Sequence, residues 1–284
     1  MVRKAIYLGV FVAAFLIGLI VGVPFLSTLD VIPVDEIVEV EIVPAHFTPE
    51  TLAPQTTPEK VDWRQEDESK FKIKLLETGD GFHGDEIGSR SGETWLGLFK
   101  NADGYQLRNT KLKITRAHDP IVDDDETIKT GKSVFTEPGG TVVFLLRSAK
   151  TLRKGSVDTV FFADDFSEQT ELKNNTQKEF QYNGHHYALK VENHLTSDEY
   201  LTKGSTLVLA KDGQEQVLNY LEDGCNDCSW NVFWVGDLDR DGELDFYFDL
   251  SSHYNVIDKR LFLSSHARKG QIVRNVASFR ITGC

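Results

Sequence analysis

The chain has 284 residues, of which 40% are hydrophobic and 26% charged. This composition is typical of a globular protein and is sufficient for one large core or two modest ones. The 44 acidic and 31 basic residues give a net charge of -13, which repels phosphate backbones and excludes nucleic acid as an expected partner.

The first element, residues 1–26, is predicted to be a transmembrane signal-anchor. Arg3 and Lys4 precede a run from Ala5 to Leu26 that contains no charged residue. A helix needs about 20 apolar residues to cross a bilayer, whereas the hydrophobic part of a cleavable signal peptide usually has about 7–15. The basic residues favour a cytoplasmic amino terminus, with everything after the helix exported to the periplasm or the cell exterior. If the segment is cleaved instead, the protein is secreted.

The second element, residues 27–62, has the composition of a stalk. It contains five of the eight prolines of the chain, and its only basic residue is Lys60. Proline stiffens such a segment toward an extended form, and like charges keep it extended. One stretch within it, residues 34–43, is rich enough in β-branched residues to pair as a strand if a sheet edge is available.

From Trp63 onward the pattern predicts a mainly β, antiparallel domain. Alternating or apolar runs indicate strands at 71–77, 93–100, 105–116, 141–148 and 158–163. The segment 119–140 is acidic and bounded by proline and glycine, which predicts an exposed loop with at most one short strand. A polar stretch at 164–175 favours a β-rich subdomain over 63–165 and a β-hairpin subdomain over 166–284. One continuous β domain is the open alternative.

The second half of the chain shows a hairpin pattern. Asn183-Gly184 and Asp212-Gly213 each stand between two strand-like runs, and both pairs accept the positive φ angles of tight hairpin turns. A third hairpin is predicted from the apolar runs at 231–236 and 246–250, and further strands from 260–265 and 271–281.

The loop of the third hairpin, residues 236–245, reads GDLDRDGELD. Counted from Asp237, carboxylates stand at positions one, three, five and nine, the last three being Asp239, Asp241 and Asp245. Gly242 at position six permits a sharp turn, and position seven, Glu243, offers its backbone carbonyl. Alternate oxygen ligands around a glycine are the arrangement that binds Ca²⁺. The sequence therefore predicts one calcium ion, with a structural role.

The motif departs from the EF-hand, because position twelve holds Phe248 in place of a bidentate glutamate and because strand-like runs flank the loop. In this respect the segment from about Asn231 to Ser264 resembles the calcium loops of FG-GAP and VCBS repeats, which are of the integrin type. The resemblance implies calcium bound by the four aspartates and by the carbonyl of Glu243. The sequence contains one copy of this loop, whereas a β-propeller needs several blades, so the motif does not predict a propeller.

Three cysteines, Cys225, Cys228 and Cys284, are expected outside the cytoplasm, where disulfides persist. One of the first two pairs with Cys284, or the first two pair with each other, and the sequence leaves both possibilities open. The C-x-x-C spacing also occurs in thiol oxidoreductases, but there the motif begins a helix in a βαβ unit. The present context, a loop that enters a strand, disfavours a redox role.

The favoured function is that of a membrane-anchored, exported, calcium-binding β protein that is structural or binds a partner in the cell envelope, either a protein or a polysaccharide. Trp63, Trp95, Trp230 and Trp234 are candidates for such a surface, although tryptophan more often lies in the core. The alternative is a calcium-dependent hydrolase of an envelope polymer. Glu93 and Asp249 are its candidate catalysts, but no spacing in the sequence assigns a catalytic pair.

Overall fold

A computed structural model of the chain describes residues 68–225 and 227–282. Its regular structure there is β-strand, apart from a short 3₁₀ helix at Glu68–Lys70, and all the strand pairs are antiparallel. The prediction of a mainly β fold is confirmed. A search of these residues for a helix long and apolar enough to span a membrane finds none. The predicted signal-anchor, the stalk, Trp63 and Cys284 lie outside the described residues.

The strands in chain order are β1 (Lys74–Leu76), β2 (Gly79–Phe82), β3 (Thr94–Asn101), β4 (Gly104–Ala117), β5 (Gly131–Glu137), β6 (Thr141–Arg147), β7 (Gly155–Phe162), β8 (Glu171–Leu172), β9 (Thr176–Tyr182), β10 (His185–Glu192), β11 (Thr206–Lys211), β12 (Gln214–Tyr220), β13 (Trp230–Asp237), β14 (Asp245–Leu250), β15 (Val256–Leu263) and β16 (Arg274–Thr282).

The larger sheet of the described chain has twelve strands, with the order β1-β6-β3-β4-β7-β13-β14-β15-β16 along its main path. Strand β5 pairs with β4 and β2, and β8 pairs with β13. The two end strands of the path, β1 and β16, contact each other, so the sheet comes close to a barrel. Strand β7 pairs with β4 and with β13. Hydrogen bonding therefore continues across the boundary expected between residues 165 and 166, and the larger sheet takes strands from both sides of it.

The smaller sheet has four strands in the order β12-β11-β10-β9. Its two hairpins turn at the predicted positions. The φ angles are 48° and 81° at Asn183 and Gly184, and 48° and 88° at Asp212 and Gly213. Positive φ at both central residues matches the right-handed twist of the flanking strands, which explains why these two pairs mark the turns.

Strands β13 and β14 are buried along their whole length, because a core lies on each face. Trp234 and Tyr247 pack into the interior of the larger sheet. Trp230, Phe246 and Phe248 point the other way and pack against the smaller sheet. Alternate side chains thus enter different cores, which accounts for runs of apolar residues without polar interruption. Trp95, Trp230 and Trp234 are core residues and do not form a binding surface.

The segment 119–140 contains the one strand that its prediction allowed, β5, which has seven residues and pairs with β4. Most residues before β5 are exposed, as expected, but two aspartates are not. The side chains of Asp119 and Asp123 are buried, because hydrogen bonds from neighbouring groups replace water around their carboxylates.

Candidate metal centre

The aspartate loop connects β13, which ends at Asp237, to β14, which begins at Asp245. The chain reverses within this loop by means of left-handed residues, Arg240 with φ 62° and Gly242 with φ 91°. Just before the loop, a Cβ at Gly236 would stand 2.2 Å from the carbonyl oxygen of Asp158 on β7. Glycine is required there because β7 passes so close to the loop.

Three predicted ligands converge. Asp237, Asp239 and Asp245 each offer a carboxylate oxygen, and these atoms all lie within 4.8 Å of one another. Asp245 is fully buried and Asp237 nearly so. Three carboxylates at this separation repel one another strongly when they are shielded from water.

Hydrogen bonds from backbone amides of the loop and of Ser264 fix two of these carboxylates. The amide of Leu238 donates to Oδ2 of Asp245 at 2.8 Å, and the amide of Ser264 donates to Oδ1 at 2.8 Å. Oδ1 and Oδ2 of Asp237 accept from the amides of Asp241 and Gly242 at 3.1 and 3.0 Å. These four amides hold the side chains of Asp237 and Asp245 in place.

The third carboxylate is incompletely bonded. Oδ2 of Asp239 accepts a hydrogen bond from Ser265, but Oδ1 is buried and has no partner in the described part of the chain. Burial, together with the charges of Asp241 and Asp237, raises the pKa of Asp239. Burial, and after it the charge of Asp239, raises the pKa of Asp245 well above its usual value. Ionisation of both groups is thus disfavoured in the buried loop as long as nothing offsets their charge.

The chemistry of the donors fits a hard cation. Each converging atom is a carboxylate oxygen, and calcium binds such oxygens in flexible loops, whereas zinc sites more often contain nitrogen or sulfur. The buried, unpartnered oxygen of Asp239 is the atom whose environment a cation would complete. The residues therefore fit the calcium ion that the sequence predicts.

The other two predicted ligands lie at the edge of this group. The carboxylate of Asp241 accepts from the amide of Glu243 at 3.0 Å and from the hydroxyl of Ser264 at 2.8 Å. The side chain of Glu243 points to the smaller sheet, where it bonds to Tyr187 and Lys211. The predicted ligand atom of Glu243 is its backbone carbonyl, and this stays a prediction.

Several contacting residues have no signal in the loop sequence. Ser264 and Ser265 follow β15, which pairs with β14, so the register of that pair brings their hydroxyls to the loop. From the smaller sheet, the hydroxyl of Tyr182 donates to Asp237 at 3.1 Å. The side-chain amide of Asn183 donates to the carbonyl of Gly242 at 3.0 Å. The positions of the two serines could have been predicted from the pairing of β14 with β15. The contacts from the smaller sheet could not, because they depend on how the two sheets pack.

The cysteine alternatives are partly resolved. Cys225 and Cys228 form a disulfide with each other, and both pack against the core beneath the smaller sheet. The bond closes a short loop just before β13 and is the second of the two pairings that the sequence leaves open.

The candidate catalysts of the hydrolase alternative have separate surroundings. Glu93 bonds to Arg147 at 2.7 Å and to the indole of Trp95 at 3.2 Å. Asp249 is buried and accepts hydrogen bonds from Ser251 and from the amide of Asp258. The two side chains share no partner among the described residues, and donors from the protein bond to each of them.

Comparisons of the chain with protein-family models, with curated proteins and with solved structures give no match.

Proposed function

We propose that this chain is a calcium-binding β protein in which Asp237, Asp239 and Asp245 hold one ion, and that the ion has a structural role. The observation that carries the proposal is the buried oxygen of Asp239, which no described donor reaches although it stands within a cluster of three carboxylates. Asp241 and the carbonyl of Glu243 remain predicted ligands.

The negative charge of the three carboxylates needs a neutralising partner. Buried carboxylates must be protonated, paired or bound to a metal. The described groups around Asp245 and Asp239 are amides and hydroxyls, which donate hydrogen bonds but carry no positive charge. A calcium ion supplies two charges and more acceptor positions than one proton can satisfy, so its binding contributes directly to folding.

The ion would also fix the contact between the two sheets. Tyr182 bonds to a ligand carboxylate, and Asn183 bonds to the carbonyl of Gly242. Tyr187 bonds to Glu243 and stands 3.4 Å from the amide of Leu244. A loop held closed by calcium presents these partners in one arrangement, so we propose that calcium stabilises the docking of β9–β12 on β13 and β14.

We further propose that the protein is anchored by residues 1–26 and exported, and that it contacts a protein or polysaccharide of the cell envelope. The motif supports this placement, because extracellular calcium modules bind with dissociation constants of about 0.1–1 mM and need the high calcium found outside the cytoplasm. The hydrolase alternative is not proposed, because no feature around Glu93 or Asp249 favours it.

Thermal unfolding of the full chain, purified in detergent, tests the calcium assignment. We expect addition of calcium at about 100 times its dissociation constant to stabilise the fold by about 2.7 kcal/mol. For a chain of this size that corresponds to a rise in Tm of about 5–10 °C. EGTA should reverse the rise, and magnesium at the same concentration should produce a smaller one.

Asp239→Asn is the matched variant, because it keeps the side-chain shape and removes the charge. We expect it to abolish most of the calcium-induced rise. Asp103→Asn is the control, since Asp103 is an exposed acid in the turn between β3 and β4 and should respond as the parent does. The site would be ruled out if calcium does not change the Tm of the parent chain and metal analysis finds no bound calcium.

A further inference from the structure

A second site lies on the larger sheet, away from the aspartate loop. A pocket of about 250 Å³ opens between the end of β7, the segment that follows it, and strands β6, β13, β14 and β15. Phe162, Phe166 and Phe233 form part of its walls. Phe166 is 56% exposed, which is unusual for a phenylalanine, and its ring meets that of Phe233 edge-on at 5.1 Å.

The inner end of the pocket holds a buried lysine. The side chain of Lys259 is 6% exposed, and its ammonium lies 3.6 Å from the ring centroid of Phe233. The nearest carboxylate oxygens, on Glu77 and Asp249, are 3.6 and 3.9 Å away, beyond hydrogen-bond distance. The two carboxylates thus offset the charge of the Lys259 ammonium, while its N–H donors remain able to bond to an acceptor in the pocket.

Acceptors line the same pocket. Glu77 accepts a hydrogen bond from the hydroxyl of Tyr247 at 2.6 Å and has lone pairs left over. Asp164 and Asp165 are exposed lining residues. The pocket therefore combines an exposed aromatic ring, carboxylate acceptors and an ammonium donor, a set that matches a ligand with an apolar face and several hydroxyl groups.

The residues at the inner end of the pocket argue against a cationic group there. Aromatic rings beside carboxylates attract ammonium groups, but here the ring faces nearest the inner end are already in contact with the ammonium of Lys259, over Phe233 and, at 5.2 Å, over Phe166. A second cation would be repelled at that distance. A neutral ligand avoids the repulsion and can use Lys259 as a donor.

The volume limits the size of the ligand. Pockets for drug-sized molecules have about 300–1,000 Å³, so a pocket of about 250 Å³ accommodates a single small ring. We infer that this pocket binds one neutral sugar ring, whose apolar face packs on Phe166 and whose hydroxyls bond to Lys259 and the carboxylates. The inference names a ligand class for the envelope partner proposed above, and it depends on that proposal only for the location of the protein.

Saturation-transfer NMR and calorimetry on the full chain test the inference, in a detergent without a sugar head group. The probes are the methyl glycosides of glucose, galactose, mannose and N-acetylglucosamine, with tetramethylammonium as the cationic comparison. We expect at least one glycoside to bind saturably. Phe166→Ala should weaken that binding about tenfold or more, as truncation of an aromatic anchor commonly does.

Asp165→Asn removes one acceptor on the exposed rim, so it should fold and weaken binding by a smaller factor. Tyr200→Ala is the matched control, because Tyr200 is 82% exposed and does not line the pocket; it should bind like the parent. No saturable binding of any glycoside, equal binding by Phe166→Ala, or binding of tetramethylammonium alone would overturn the inference. Each measurement is repeated in calcium and in EGTA. If the Tm depends on calcium but no glycoside binds, the sugar site is overturned and the calcium site is supported. If a glycoside binds but the Tm does not depend on calcium, the calcium site is overturned and the sugar site is supported.

Discussion

The connection between β4 and β5, residues 118–130, and the connection between β13 and β14, residues 238–244, are both rich in aspartate. Each is associated with buried carboxylates, Asp119 and Asp123 in the first case, Asp237 and Asp245 in the second. The two groups differ in the donors that the described chain places around them.

In the first loop the chain supplies every partner. The carboxylate of Asp119 is hydrogen-bonded to the ring of His83 at 2.6 Å. It also accepts hydrogen bonds from the amides of Ile121 and Val122 at 3.1 and 3.3 Å. Burial alone would raise the pKa of Asp119, but the hydrogen bond from His83 and those amides outweigh it and hold the pKa below its usual value. This group is complete as folded.

In the second loop the same protein leaves a buried oxygen of Asp239 without a described donor, and the pKa values of Asp239 and Asp245 are raised. The comparison teaches that an aspartate-rich sequence does not by itself indicate a metal. The pKa directions are opposite because the chain surrounds Asp119 with a histidine and amides, whereas burial and neighbouring carboxylates dominate around Asp239 and Asp245.

Asp245→Ala should produce the largest effect. It removes the acceptor for the buried amide of Leu238 and the partly buried amide of Ser264, and an unsatisfied buried donor costs about 1–3 kcal/mol. Urea unfolding of the full chain should show this loss together with the loss of the calcium response. Asp245→Asn keeps one acceptor and should fold, but it should also lose the response. A normal calcium response in Asp245→Asn would contradict the ligand role.

Asp119→Ala tests the self-sufficient loop. We expect a loss of about 1–3 kcal/mol, because three donors lose a buried, charged acceptor. The loss should be the same in calcium and in EGTA, since the partners of Asp119 all come from the chain. A loss that depended on calcium would mean that the two loops do not differ as described.

Tyr182→Phe tests whether the smaller sheet is coupled to the calcium loop. It removes the hydroxyl that bonds to Asp237 and Asp158. We expect the dissociation constant for calcium, measured by calorimetry, to rise about threefold to tenfold, equivalent to about 0.7–1.4 kcal/mol. Tyr254→Phe is the control, because Tyr254 is exposed. An unchanged dissociation constant in Tyr182→Phe would show that the sheets dock independently of the ion.

The smallest expected effect is the pH dependence of the first loop. The hydrogen bond from Asp119 raises the pKa of His83 above its usual 6.5, so this contribution is full below pH 6.5 and is lost as the pH rises through the folded value. The pKa of Asp119 lies below its usual 3.8, so its contribution is lost only as the pH falls through that lower value. The pair therefore stabilises the fold most between these limits.

His83→Gln should flatten the fall in Tm above pH 6.5. The difference from the parent should be less than about 1 kcal/mol, or about 2–4 °C, because the pair is partly solvated. If the Tm of parent and variant changes equally with pH between about pH 4 and 8, the assignment of this pair is contradicted.

Local patterns predicted much of this fold. Positive φ at Asn183-Gly184 and Asp212-Gly213 follows from residue type, and alternation located most of the strands. The burial of Asp119 was not predictable, because its partner His83 is 36 residues away along the chain. The strand pairing that crosses residue 165 was also out of reach, because the register of β7 against β13 depends on contacts far apart in sequence.

The sequence by itself determined the position of the candidate centre, because ligands at alternate positions around a glycine are a local property of one short loop. Only the tertiary structure decided which carboxylates meet, that Cys225 pairs with Cys228, and that Tyr182 and Ser264 contact the loop. It also formed the pocket beside Phe166 from strands distant along the chain. Such contacts depend on the packing of whole sheets, and no local spacing of residues encodes it.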